Sequence, residues 1–304
     1  MKLQATRRTD AEGIRTCMKS KDSSGASEIR ALITLLGDDD ATVRGIARER
    51  LLHHGEEAAD YLREACAADG EGKVRIQARH VLEQINLEDL LGSFHLISLL
   101  GEPHMDLERG AILLARFGSP DLKAETVQQQ LDELADRMRL RLPSRTPNDG
   151  TIRLLNHFLF YEEGFSGYTD DYWHPDNTFI HRVLESRHGI AVSLSVIYLL
   201  IARRLRLPIV GVGMPVHFLC KFENGDSSFF IDAFHQGQIL SRADCVQILR
   251  RSGSAFRDDF LEPSDDREIL LLMVRDLIKA YTQKGELHKV GVLERIVNLL
   301  RAYE

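Results

Sequence analysis

The stretch RHGIAVSLSVIYLLIARRLRLPIVGVGMPVHFL, residues 187–219, decides the fold of this chain. A glycine-containing turn leads into an apolar segment, which we predict to be a helix over residues 192–205, hydrophobic on nearly all sides and therefore central. Pro208 then starts a β-rich stretch, and His217 lies on the next apolar strand. Cysteine-nucleophile active sites are often laid out in this order. The turn, however, carries Ala191 where a nucleophile would stand.

The composition describes a soluble globular chain. Its 304 residues are 43% hydrophobic and 28% charged, which predicts roughly two or three domains with a sizeable core. The formal net charge of −7 argues against nucleic-acid binding. One run of arginines is interpreted as a solvated helix end: Arg137, Arg139, Arg141 and Arg145. The polar tail, residues 1–25, lacks the apolar core of a signal peptide, and the most apolar window, residues 191–202, is too short to span a bilayer. We therefore expect neither a nucleic-acid partner nor membrane association.

The cysteines indicate a reducing compartment. They are far apart in sequence and form no CxxC pair: Cys17, Cys66, Cys220 and Cys245. This spacing indicates neither a zinc knuckle nor a disulfide framework. Reduced thiols in a cytoplasm fit best, so we expect a cytoplasmic protein.

An internal repeat organises residues 26–88. It recurs at an offset of ~31 residues, with Val43, Arg44, Ala47, Arg48 and Leu51 matched by Val74, Arg75, Ala78, Arg79 and Leu82. The apolar members fall on one helix face, and the pattern resembles HEAT-type helical repeats. Two such units cannot bury their apolar faces alone. The repeats either bind a partner or cap the next domain, and the sequence leaves both open.

A β-hairpin is indicated by PIVGVGMPVHFLCKF followed by NGDSSFFIDAFHQG. We predict two strands joined at Asn224 and Gly225, a strong hairpin signal. His217 lies on the first strand and Asp232 ends the second, so the two side chains can meet across the ladder. A carboxylate bonded to one ring nitrogen would orient the imidazole and leave the other nitrogen for proton transfer.

Several segments together carry a family resemblance. VLESRHGIA, ARRLRLPIVGV, HFLCKF and FIDAFHQG resemble the transglutaminase-like, papain-related fold. MDLERGAILLARFGSPDL, LLNHFLFYEEGFSGY, NTFIHRVLESRHGIAVSLSVIYLLIARRL and PVHFLCKF more closely resemble bacterial SirB-type proteins over about residues 89–300. The resemblance implies that His217 matches the superfamily histidine, Asp232 the acid and Ala191 the cysteine nucleophile. SirB-type relatives commonly carry proline at that position, so the missing thiol is implied to be a property of the group.

Three nearby residues carry a hydroxyl or thiol that could replace the nucleophile: Ser193, Ser195 and Cys220. Ser193 is the candidate nucleophile, although it lies about 200° around the helix from residue 191, and for Ser193 and Ser195 we favour a hydroxyl bonded to a backbone carbonyl. Cys220 follows His217 by three positions, so an ideal strand directs it to the opposite face. We interpret Cys220 as a buried hydrophobe.

A metal site is the remaining chemical option, because His217, Asp232 and His235 offer nitrogen and oxygen ligands. No HxH or HExxH spacing supports it, so a hydrogen-bonded structural cluster is favoured. We therefore predict no metal and no cofactor. Asn156 and Asn177 are interpreted as residues that cap and bridge loops rather than line a pocket.

The predicted fold class is α+β. It comprises a helical-repeat N-terminal region, a transglutaminase-like core with a central helix packed on a small antiparallel sheet, and a C-terminal helical hairpin. The hairpin resembles a tetratricopeptide-type unit, and it is expected to dock on the core. The predicted layout is a polar tail over 1–25, HEAT-like repeats over 26–88, the transglutaminase-like domain over 89–260 and the tetratricopeptide-like hairpin over 261–304.

Two functions follow from this resemblance. The first is a non-catalytic interaction or regulatory protein that binds a protein partner, because Ala191 removes the nucleophile. The alternative is a hydrolase or acyltransferase that uses His217 and Asp232 with a non-standard nucleophile such as Ser193.

Overall fold

The computed structural model describes residues 25–69, 71–100, 105–142, 147–225 and 227–302. Apart from Gly25, the predicted polar tail lies outside these ranges, as do Cys17 and Arg145. The chain divides into two compact units, Met1–Asp89 and Leu90–Glu304. Within the described ranges, no helix combines the length and the hydropathy that crossing a bilayer requires.

The first unit is helical where it is described. Its helices are α1 over residues 25–35, α2 over Ala41–His54, α3 over Glu56–Ala67 and the start of α4, which runs Gly72–Leu100. Asp40 caps α2 by accepting a hydrogen bond from the Thr42 amide, as expected for a short acidic residue before a helix. Of the repeated positions, Ala47, Leu51 and Ala78 are buried in one apolar cluster. The assignment to HEAT-type repeats stays a prediction.

The second unit combines helices with a small antiparallel sheet. Its further helices are α5 Leu107–Gly118, α6 Ala124–Arg139, α7 Asp149–Asn156, α8 Ile180–Ser186, α9 Ala191–Arg204, α10 Arg242–Arg251, α11 Asp266–Gln283 and α12 Leu287–Arg301. A π-helix, His157–Glu162, extends α7, and 3-10 turns span Pro175–Asn177 and Asp258–Leu261. The strands are β1 Ser166–Gly167, β2 His188–Gly189, β3 Ile209–Met214, β4 His217–Asn224, β5 Ser227–Asp232 and β6 Gln238–Leu240.

Helix α9 is the centre of this unit. Every residue from Ala191 to Ala202 is buried, and α9 packs against α6, α8, β3 and β4. The segment was predicted to be a central helix because it is apolar on all sides, and a helix of that kind needs neighbours around its whole circumference.

The sheet has the order β3-β4-β5-β6, with all neighbours antiparallel. The sequence prediction treated PIVGVGMPVHFLCKF as one strand, but it forms two, because the chain reverses at Pro215 and Val216 and pairs Met214 with His217. Proline has no amide hydrogen for a ladder and its φ suits a tight turn. A separate short pair, β1 and β2, is parallel.

Helix α8 lies between a 3-10 turn and β2. Asp176 and Asn177 belong to the preceding 3-10 turn, and Phe179 is the N-cap of α8. At its other end Arg187 adopts the left-handed conformation with φ 64°, and Gly189 is in β2. Glycine is required at position 189 because a Cβ there would lie 2.8 Å from the Ser193 Oγ.

The C-terminal hairpin, α11 and α12, docks on the core of the second unit. The Arg203 guanidinium of α9 pairs with the Asp266 carboxylate at the start of α11. The same carboxylate accepts a hydrogen bond of 3.1 Å from the Leu107 amide. Gly110 of α5 faces Leu270 so closely that a Cβ would lie 2.3 Å from a leucine methyl. Contacts of this kind fix the hairpin against α5 and α9.

Candidate functional site

Two histidines and one aspartate meet at the end of the sheet. His217 is the first residue of β4, Asp232 is the last of β5, and His235 lies in the turn that follows. The His217 Nε2 lies 2.8 Å from the Asp232 Oδ2. The His235 Nδ1 lies 2.8 Å from the same oxygen. The structure thus brings together the three residues that the sequence analysis grouped as a hydrogen-bonded cluster.

The Asp232 carboxylate is buried, and each of its two oxygens contacts two hydrogen-bonding partners. Its side chain is 3% exposed, and its Oδ1 accepts hydrogen bonds of 3.1 Å from the amides of Phe234 and His235. Burial raises the pKa of Asp232, but the hydrogen bonds and charges of His217 and His235 outweigh it, so the pKa lies below its ordinary value. The group is therefore a charged acceptor that orients both imidazoles.

Strands β3 and β4 pack on the middle of α9. The Cys220 Sγ contacts the Ser195 carbonyl oxygen at 3.8 Å. A Cβ on Gly211, the register partner of Cys220, would contact Leu199.

Two aromatic side chains, Tyr172 and Phe234, connect the backbone of Ala191 to the His217 ring. The pKa of Tyr172 is raised chiefly by burial and by the charge of Asp276, while a hydrogen bond to the Ala191 backbone partly offsets the rise. The Tyr172 and Phe234 ring centroids are 5.8 Å apart, and the Phe234 ring meets the His217 ring edge-on at 6.3 Å. Sequence reasoning missed the roles of Tyr172 and Phe234. The available signal was the aromatic-rich segment around Trp173, which predicts only a rigid loop.

The serines of α9 are buried. The Ser193 hydroxyl donates to the Asn177 carbonyl at 2.5 Å and accepts from the Ile190 amide at 3.1 Å. These backbone bonds agree with the interpretation favoured from the sequence. The Ser195 hydroxyl is also buried, and within the described part of the chain it has no hydrogen-bond partner. Ser195 thus differs from the predicted backbone-bonded hydroxyl.

The buried cysteines of this unit remain protonated at neutral pH. Burial raises the pKa of the Cys220 thiol to about 12 and that of the Cys245 thiol to about 11. A thiol is nucleophilic only as thiolate. Neither residue therefore replaces a cysteine at position 191.

Asparagine side chains brace the loops, in line with their interpretation from the sequence. The Asn156 amide donates to the Gly237 carbonyl at 2.6 Å and accepts from the Tyr198 hydroxyl at 2.8 Å. The Gly237 amide in turn donates to the Asp232 carbonyl at 2.8 Å. Asn177 donates to the Asp171 carbonyl at 2.7 Å. The Asn156 contacts fix the turn that carries His235.

The histidines and Asp232 face a cleft of about 460 Å³, whose other lining residues include Gln238, Asp244 and Arg251. The ligand atoms of His217, Asp232 and His235 all lie within 4.8 Å of one another. The cleft gives solvent and small ligands access to this cluster. It therefore has room for binding at the His–Asp pair.

The arginine run is paired rather than free. Arg137 and Arg141 form ion pairs with Glu163 and Glu162, respectively, and Arg139 pairs with Asp136. The guanidinium groups of Arg137 and Arg141 also lie over the Phe158 ring. These contacts agree with the interpretation of the run as a solvated helix end.

A central helix packed on an antiparallel sheet, with a hydrogen-bonded His–Asp pair on adjacent strands, is consistent with a transglutaminase-like framework. Residues 125–275 match the family model described as Transglutaminase-like superfamily. This part of the chain is a transglutaminase-like superfamily domain.

Bacterial UPF0162 proteins are homologues of this chain. It is 28% identical to the UPF0162 protein of Xylella fastidiosa (strain 9a5c) over 218 residues, which cover 69% of this chain and 78% of that protein. It is 32% identical to the UPF0162 protein of Pasteurella multocida over 114 residues, which cover 38% and 43% of the two chains. It is 25% identical to human F-box only protein 21 over 202 residues, which cover 57% of this chain and 32% of that protein. No solved structure matches the chain.

Proposed function

We propose that this chain is a non-catalytic transglutaminase-like protein of the SirB type that acts by binding a protein partner in the bacterial cytoplasm. The observation that carries the proposal is the first turn of α9. Ala191 is the first residue of α9, where the resemblance implies the nucleophile, and the rings of Tyr172 and Phe234 form a chain of contacts from its backbone to His217. Alanine offers no group that a base could activate.

The rival function is a hydrolase or acyltransferase that uses His217 and Asp232. The observation in its favour is the imidazole held at 2.8 Å by a buried carboxylate beside a cleft. Its weakness is the nucleophile, because the Ser193 hydroxyl is buried and bonded to the Asn177 carbonyl. An attack by Ser193 would first have to break that bond.

Helical surfaces outside the sheet are our candidates for partner binding. In this proposal residues 26–88 form HEAT-like repeats and residues 261–304 form a tetratricopeptide-like hairpin. A segment similar to this chain occupies about a third of human F-box only protein 21, which supports its use as a module. The last turns of α4 also expose Leu96, Leu99 and Leu100 on one helix face.

The absence of catalysis is tested with thiol-directed and serine-directed acylating probes, with labelled residues mapped by peptide mass spectrometry. We expect no labelling of wild type that depends on His217. An Ala191→Cys variant is the positive control, because a thiol at a helix start has a lowered pKa. If wild type is labelled and His217→Ala abolishes the labelling while the fold is retained, the rival function is correct.

Partner binding is tested by capture from a lysate of the organism that encodes the chain. Leu99→Glu introduces a charge into the exposed apolar face of α4 and is expected to reduce capture of a specific partner. Leu140→Glu is the matched control, because Leu140 is also an exposed leucine but lies near the end of α6. Equal capture by wild type and both variants would exclude the α4 face as the binding surface.

A further inference from the structure

We propose that His217, Asp232 and His235 form a binding site for one zinc ion, with an open coordination position toward the cleft. This site is independent of the interaction function proposed above. The three side chains supply two imidazole nitrogens and one carboxylate oxygen, and these atoms all lie within 4.8 Å of one another. A set of two histidines and one carboxylate is typical of zinc sites that keep a position for water or a ligand.

The distances between the ligand atoms are close to those of a metal site. Each imidazole nitrogen now lies 2.8 Å from the Asp232 Oδ2. Tetrahedral zinc with bonds of about 2.0–2.1 Å separates its ligand atoms by about 3.3 Å. Each ring therefore has to withdraw from the oxygen by about half an ångström and to turn, so that its lone pair points at the ion instead of the oxygen. His235 can do so readily, because its side chain is 59% exposed and lies in a turn.

The carboxylate is already oriented for coordination. The amides of Phe234 and His235 hold the Asp232 Oδ1 from behind, and only Oδ2 faces the two rings. Such outer contacts fix the direction of a ligating oxygen and strengthen metal binding. In the zinc-bound form each ring presents a lone pair at its ligating nitrogen and carries a proton on the other nitrogen.

The donor set selects the ion, and the cleft leaves room for the ligands that the ion would bind. Borderline nitrogen donors with one carboxylate favour zinc over the hard cations calcium and magnesium, which prefer oxygen donors alone. The cleft of about 460 Å³ lies against all three residues. A zinc ion held here would present its open position to water or to a small ligand in the cleft.

The site is tested by isothermal titration of the full-length chain, freed of any affinity tag, with zinc chloride. The decisive variant is His235→Ala, because an exposed side chain can be removed with little risk to folding. The matched control is His157→Ala, whose side chain is also exposed and lies 3.8 Å from an acid, Glu162. Cobalt is titrated in parallel, because its absorption spectrum reports tetrahedral coordination.

We expect one zinc ion per chain, a tetrahedral cobalt spectrum, and binding at least about tenfold weaker in His235→Ala than in wild type. His157→Ala should bind zinc like wild type. The proposal is overturned if wild type binds no zinc at a stoichiometry near one, or if His235→Ala binds as tightly as wild type. It is equally overturned if both variants weaken binding to the same extent.

Discussion

Gly237 is the backbone position on which the geometry of the site depends most directly. Its φ of +72° lies in the left-handed region, and an added Cβ would lie 2.6 Å from both the Asn156 Cγ and the Phe160 Cε2. Its amide donates to the Asp232 carbonyl, and its own carbonyl accepts from Asn156. Gly237→Ala therefore adds backbone strain and a steric clash inside a buried hydrogen-bond network.

The size of the effect follows from these two contributions. Left-handed strain in alanine costs about 1 kcal/mol, and overpacking of a rigid site costs about 1–3 kcal/mol. We therefore expect Gly237→Ala to lower the free energy of unfolding by about 3 kcal/mol. The matched control is Gly225→Ala, where φ is +53° but no described atom beyond the chain neighbours lies within 4 Å of the added Cβ. That variant should lose only about 1 kcal/mol.

The assay is urea unfolding followed by tryptophan fluorescence. Trp173 is the single tryptophan of the chain, and it lies in the second unit, so the signal reports the unfolding of the unit that holds the site. A difference of about 2 kcal/mol between the variants, with equal m-values, is the expected result. Equal destabilisation by Gly237→Ala and Gly225→Ala would refute the argument from steric contact with Asn156.

Three further predictions concern other parts of the second unit. Gly110→Ala should destabilise it by about 1–3 kcal/mol in urea unfolding, because the added Cβ meets Leu270 at 2.3 Å. Gly291→Ala, at an exposed position of α12, should stabilise it by about 0.5–1 kcal/mol; equal effects of the two substitutions would contradict both predictions. Burial raises the pKa of Asp276 above 3.8 although Lys279 partly offsets it, so the folded state loses stability as pH rises from below 3.8 through the folded pKa. Asp276→Asn should therefore increase the free energy of unfolding at pH 7, and the gain should shrink toward pH 4, whereas a gain independent of pH would contradict this assignment.

The local features of this fold could be predicted from the sequence because their causes are local. An apolar segment without a polar face predicts the buried helix α9, and the Asn224–Gly225 signal predicts the hairpin of β4 and β5. Asn224 itself is the last residue of β4 and pairs with Ser227, so the reversal begins at Gly225. Once the hairpin is in place, His217 and Asp232 meet as neighbours on adjacent strands. The Pro215 reversal was missed because the apolar pattern continues through it, and a pattern of hydrophobicity does not record a change of direction.

The features that were missed depend on contacts between distant segments. Tyr172 lies in a loop, and its place beside Ala191 is set by the packing of that loop on α9 and Phe234. The turn that carries His235 is held by Asn156, a residue of α7 that donates to the Gly237 carbonyl. Neither the Tyr172 contact nor the Asn156–Gly237 contact has a spacing or a periodicity in the sequence that would predict it.

The two halves of the transglutaminase-like site differ in what the fold requires of them. The Asp232 carboxylate is buried, and two imidazoles and two amides compensate its charge. Removal of one partner from a buried charged pair costs about 3–5 kcal/mol, because the remaining charge is left uncompensated. The fold thus needs a partner such as His217 whether or not the site performs catalysis.

Position 191, which we propose matches the nucleophile, has no such requirement. Ala191 begins a helix, and alanine has the highest helix propensity of all residues. An alanine there leaves no buried polar group without a partner, while Tyr172 occupies the neighbouring space. A hydrogen-bonded His–Asp pair in this fold is therefore evidence of a buried charge that must be compensated. Evidence of catalysis has to come from a nucleophile or a metal ion beside that pair.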